Sequence, residues 1–137
     1  MTDRLLFDES GTMLPMTGGL IFVALAVSAL VVELSLLGAA YRDVATVADL
    51  AAESAAAVVS TPGVYGTVLS LDMAAAETEA RRVGAMWGSG DEIISVDSSP
   101  ARICVTVADI YQPRTLAFIG VSEITVRATG CAAPESG

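Results

Sequence analysis

The sequence contains no histidine, no lysine and only two cysteines among its 137 residues. Without histidine the chain lacks the commonest general base, the Ser/His and Cys/His dyads, and most zinc and iron sites. Two cysteines cannot build a four-cysteine metal site or an iron–sulfur cluster within one chain. The cations are seven arginines against sixteen Asp and Glu, a net charge of −9. From Arg42 onward there are six arginines against twelve acidic residues. Nucleic acid and anionic lipid headgroups need clustered cations, so no nucleic-acid partner is expected. P-loop, Rossmann glycine and GxSxG patterns are also missing; Gly88-Ser89-Gly90 lacks the last spacing. These absences argue against an enzyme and point to no cofactor or metal.

What is present is a long apolar run. Met13–Val32 holds 20 residues without a charged side chain. As a helix it spans roughly 30 Å, about the hydrocarbon thickness of a bilayer. Three readings compete: a retained membrane helix, a cleaved signal peptide and a buried core helix. A signal peptide has a basic head and a shorter apolar stretch, whereas this head carries Arg4 against Asp3, Asp8 and Glu9. A core helix apolar on all faces needs a larger protein around it. The retained single-pass helix is therefore the favoured reading. Arg4 on one side balances Arg42 on the other, so the positive-inside rule gives no orientation.

The pattern divides the chain into three parts: a polar head (1–11), one long helix (12–60) that spans lipid over about 13–37, and a small domain (61–137). No proline falls between Thr17 and Thr61. Val44, Val47, Ala48, Ala51, Ala55 and Val58 recur at three- and four-residue spacing, an amphipathic, alanine-faced upper half. Tyr41 and Arg42 stand where an interfacial anchor pair is expected. Thr61-Pro62-Gly63 is expected to end the helix. Ser70 is expected to cap a second helix over Leu71–Trp87, with Leu71, Ala75, Val83, Met86 and Trp87 as its apolar line. Glu77 precedes Arg81 by four, the favoured order for a helix ion pair. Strands are expected at Glu92–Asp97, Ala101–Asp109 and Val121–Cys131, with Arg114–Ile119 either a helical turn or a bulged strand. The fold class is α+β: a long N-terminal helix, a second helix and a small antiparallel sheet.

Cys104 and Cys131 each fall on the polar face of a strand. Paired strands bring them together as a disulfide, the usual state of two cysteines outside the cytoplasm; two free thiols in a reducing compartment are the alternative. Glu33 is the first charge after the apolar run. A carboxylate there is costly unless partnered. It is read either as sitting at the outer membrane interface or as neutralising a cation or N-terminus of a neighbouring subunit. The acidic groups Asp72/Glu77/Glu79 and Asp91/Glu92/Asp97 lack EF-hand spacing and read as solvated faces.

Three stretches resemble the TadE/TadG-like pseudopilins and minor pilins of tight-adherence (Flp-type) pilus systems, within the type IV filament group. The head Glu9-Ser10-Gly11-Thr12-Met13-Leu14-Pro15 is similar to a leader glycine before a retained helix. Glu33, then Tyr41, Arg42 and the run through Ala48, Asp49, Ala51 and Ala52, is similar to the family's late acidic residue, aromatic, basic residue and alanine-rich segment. Phe118-Ile119-Gly120 leading into Ile124–Thr129 is similar to its closing strand. The resemblance implies cleavage between Gly11 and Thr12 by a prepilin-type peptidase. It also implies a single pass through the inner (cytoplasmic) membrane, an extracytoplasmic C-terminal domain and an extracellular pilus as destination. Its implied partners are membrane lipid, other pilin subunits and the pilus assembly platform, with the alanine-rich helix bundling against neighbouring pilin helices. Met16 stands at the fifth mature position, where many filament pilins carry Glu; this implies a minor or assembly role rather than the main shaft. A membrane-anchored interaction module of a secretion apparatus that never enters a filament is the alternative.

Overall fold

A computed structural model describes residues 13–60, 70–89 and 93–134. Helix α1 runs over Met13–Ala56 as one uninterrupted element of 44 residues. Its Pro15 lies in the first turn, where backbone N–H groups have no intrahelical partner. Helix α2 follows at Met73–Trp87, then strands β1 (Ile93–Ser99) and β2 (Arg102–Tyr111), a 3-10 turn (Leu116–Ile119) and strand β3 (Ile124–Ala132). The strands form an antiparallel sheet in the order β1-β2-β3. The fold is α+β, as expected.

The sheet presents one face to the helices. Ile103, Val105 and Val107 of β2 are fully buried there, with Val126 and Ala128 of β3 beside them. Against them α1 sets Val44, Val47, Ala48, Ala51, Ala52 and Ala55, all buried, along the stripe that three- and four-residue spacing dictates. Alanine leaves little side chain between backbone and neighbour, so the sheet approaches α1 closely. At Gly130 an added Cβ would lie 2.7 Å from the Ala48 carbonyl group and 2.5 Å from the Asp49 carboxylate. The strand needs glycine at that crossing. Strand β3 rises in the same direction as α1: Ile124 and Val126 line a groove with Leu34, Leu37 and Tyr41, while Gly130 meets Ala48. The β2–β3 connection therefore hangs at the end of the sheet nearest the apolar run.

Several boundaries differ from expectation. Helix α1 stops at Ala56 rather than Ser60, because Val58-Val59-Ser60 leave the helix and pair with residues 70–72. Val59 bridges Leu71, and the Ser60 and Ser70 backbones join at 2.8 Å. β-branched valines favour that extended backbone. Ser70 is consequently not the cap of α2. Asp72 is, accepting from the Ala75 N–H at 3.2 Å. The buried line of α2 is Ala76, Ala80, Val83 and Gly84, whereas Met86 and Trp87 are exposed. Small residues win that face because the helix lies close to its neighbours; Gly84 meets Ile94 of β1. The Glu77–Arg81 pair forms at 2.8 Å. The expected terminator Thr61-Pro62-Gly63 lies outside the described residues. β1 and β2 extend two residues further than expected, and β3 starts at Ile124 rather than Val121. Arg114–Ile119 resolves into a 3-10 turn over Leu116–Ile119, closed by Gly120 at φ 87°.

Below the domain α1 is bare. The stretch from Pro15 contains an 18-residue window of mean hydropathy 2.6, of which 6% is buried. By length and composition this helix can cross a membrane, and its exposure separates it from the core helix of a soluble protein.

Candidate functional site

The one buried charged side chain among the described residues is Glu33, 3% exposed. It sits on α1 at the boundary between the bare apolar helix and the domain. Each carboxylate oxygen takes two hydrogen bonds. Oε1 accepts from the Tyr111 hydroxyl at 2.6 Å and the Arg114 backbone N–H at 3.2 Å. Oε2 accepts from the Thr115 backbone N–H at 2.8 Å and the Thr115 hydroxyl. Tyr111 ends β2, and Thr115 is the N-cap of the 3-10 turn, so the β2–β3 connection closes around the carboxylate. Thr115 makes no side-chain cap of its own turn because its hydroxyl is spent on Glu33.

The chemistry follows from the cost of an unpartnered ion at low dielectric. A buried carboxylate survives when donors replace its water shell. Here four neutral donors do so, and they come from this chain. Of the two readings of Glu33, a membrane-interface position or a neighbour's cation, neither anticipates these partners: the carboxylate is held by an internal lock. No cation partner is needed; the described ion pairs are Arg81–Glu77 and Arg82–Glu79, both on α2. The bond to Glu33, followed by burial and the nearby negative charge, holds the Tyr111 phenol above its ordinary pKa.

Other sequence-singled residues fall elsewhere. Tyr41 and Arg42 are exposed and do not reach Glu33. Tyr41 borders the apolar groove between α1 and β3. Ala48, Ala51 and Ala52 are buried beneath the domain, so the alanine face expected for neighbouring helices is used within the chain. Asp49 is exposed, above Gly130. Cys104 and Cys131 are partners across β2 and β3 and form a disulfide on the sheet face away from the helices, their Cα atoms 4.1 Å apart. Thr106 and Thr129 hydrogen-bond on that same face at 2.8 Å. Gly11 and Thr12 lie outside the described residues.

Sequence reasoning missed Tyr111, Arg114 and Thr115. The expected second strand ends at Asp109, short of Tyr111, and Arg114–Ile119 is read only as a helical turn or a bulged strand. The available signal was the demand of Glu33 itself: a carboxylate in an apolar helix requires donors, and a Tyr and a Thr four residues apart at a strand end supply them. Among the described residues no group of three or more His, Cys, Asp or Glu is placed to hold a metal ion. Comparison with protein-family models, curated proteins and solved structures gave no match.

Proposed function

We propose that the protein is a minor pilin or pseudopilin acting in assembly of a tight-adherence type IV pilus, structural rather than catalytic. The observation that carries this reading is the division of α1. Its lower part is bare and apolar, and its upper part is clamped to a small sheet domain from Glu33 upward. Such a helix can rest in lipid and later exchange lipid for neighbouring helices without the domain unfolding. Burial of Ala48, Ala51 and Ala52 leaves the lower part, with exposed Gly18, Gly19 and Ala24, as the surface for that exchange. The domain lies outside the cytoplasm in this reading, where a disulfide persists.

The anchored module that stays in the membrane is the second reading. It is favoured by Glu33 being engaged within its own chain, and so not free to bind a neighbour.

N-terminal sequencing and intact mass, on membranes and on sheared surface filaments, decide between them. A chain beginning at Thr12 in the sheared fraction supports the pilin. An uncut Met1 chain confined to membranes overturns it in favour of the anchored module.

A further inference from the structure

Phe118 is 94% exposed, more than any large apolar residue from Pro15 onward on the bare helix, and the adjoining Ile119 is 74% exposed. Both sit in the 3-10 turn directly after Thr115, whose N–H and hydroxyl are fixed to Glu33. At about 2 Å rise per residue, Phe118 lies on the order of 6 Å along the chain from that anchor. Glu33 is the first charge above 20 uncharged residues. The turn continues beyond the Tyr111–Ile124 pair, the last pair of β2 and β3, at the end of the sheet nearest the apolar run.

We infer that the 114–121 turn is a second membrane contact, with Phe118 and Ile119 seated in the bilayer interface beside α1. This inference rests on the reading of α1 as membrane-spanning. The occupant is lipid rather than protein for three reasons. First, the apolar tips lie at the level where the uncharged helix ends, which is where a bilayer's interface falls. Second, the backbone of the turn is internally bonded: Phe118 N–H to Thr115, Gly120 N–H to Ala117 and Val121 N–H to Leu116. That lowers the cost of leaving bulk water. Third, exposed polar residues Gln112, Arg114, Ser122 and Glu123 flank the two tips, an arrangement suited to a headgroup zone above an acyl boundary. The Glu33 lock then has a purpose beyond stability. It holds the domain at a fixed height on the membrane, with the turn as its foot.

The test uses the full chain in lipid nanodiscs carrying bromine on the upper acyl-chain carbons. The native tryptophan is removed by W87F, an exposed position. In that background F118W reports on the turn and F22W reports independently on the apolar helix. The expected result is blue-shifted emission with bromine quenching for both. Quenching of F22W with water-like, unquenched F118W emission overturns the inference while the spanning helix stands. Loss of quenching at both positions overturns the spanning reading and the inference with it. Quenching of F118W alone also overturns the inference as stated, because the foot is then not beside a spanning helix. Phe118 has almost no packing contact to lose, and an unchanged unfolding temperature for W87F/F118W confirms that the domain is intact.

Discussion

The Tyr111 hydroxyl donates to the Glu33 carboxylate at 2.6 Å, joining the end of β2 to the middle of α1 across 78 residues of sequence. With the two backbone N–H groups and the hydroxyl from Arg114 and Thr115, it makes Glu33 the fastening between stalk and domain. A charged group at the end of the apolar run of α1 is tolerated because the domain brings the donors to it. The domain, in turn, is held at one height on the helix.

Removing the acceptor should cost more than removing one donor. E33Q keeps the shape of the side chain but presents an amide NH2 to backbone N–H groups, leaving donors facing donors. Y111F leaves the three other bonds in place. In detergent micelles, E33Q is expected to lower the unfolding temperature more than Y111F. Equal effects would show that Tyr111 alone carries the contact.

The raised pKa of Tyr111 carries a pH dependence. A group that holds its proton more tightly when folded adds stability below its unfolded pKa, near 10, and loses that contribution as the pH rises through the folded value. Wild type should therefore be more stable than Y111F at neutral pH. The gap should close as the pH rises above about 10 and through the raised folded value. Thermal unfolding of both proteins across that range checks it, and a gap that widens with pH would contradict the assignment.

Much of the architecture was readable because periodicity is local. The alternation of Ile103, Val105 and Val107 assigned the buried face of β2, and the same alternation set Cys104 and Cys131 on the other face, where they pair. The alanine spacing of α1 gave its buried stripe. Two things were not readable. Helix ends depend on what the chain does next: Val58–Ser60 leave the helix for a partner at residues 70–72 that no local window contains. The Glu33 site depends on contacts from 78 to 82 residues away, which spacing along one element cannot reveal. The exposed Met86 and Trp87 show the same lesson in reverse. Large apolar side chains looked like the core line of α2, yet close packing selected Ala76, Ala80 and Gly84.

Gly130 and Gly84 make a contrasting pair. A methyl at residue 130 would strike the backbone of α1 at Ala48, which cannot give way without moving the helix. G130A is expected to destabilise by about 1–3 kcal/mol, the usual cost of overpacking. A methyl at residue 84 would meet only the tip of the Ile94 side chain. G84A should cost less, because that side chain can rotate and alanine is the better helix former. Denaturant unfolding of both variants in micelles checks the order, and G84A being the more damaging would contradict the packing described.

The disulfide closes a loop of 27 residues of separation. In the chain-entropy model such a link is worth about 3.5 kcal/mol. The largest fully buried side chains are only Ile103, Val105 and Val107, so this small core has little to spare. C104S/C131S should lose stability of that order while keeping the strand register. Two-dimensional spectra matching wild type with a lowered denaturant midpoint would agree. An unchanged midpoint would show that the link adds nothing.

The central claim is that Glu33 fastens the domain to the stalk, and hydrogen exchange at the Thr115 amide reads that fastening directly. In the full chain in nanodiscs near neutral pH, the wild-type Thr115 amide should be protected to a degree approaching the Val105 amide. E33A should abolish protection at Thr115 and leave it intact at Val105. Free exchange of Thr115 in the wild type, or protection that survives E33A, would contradict the account.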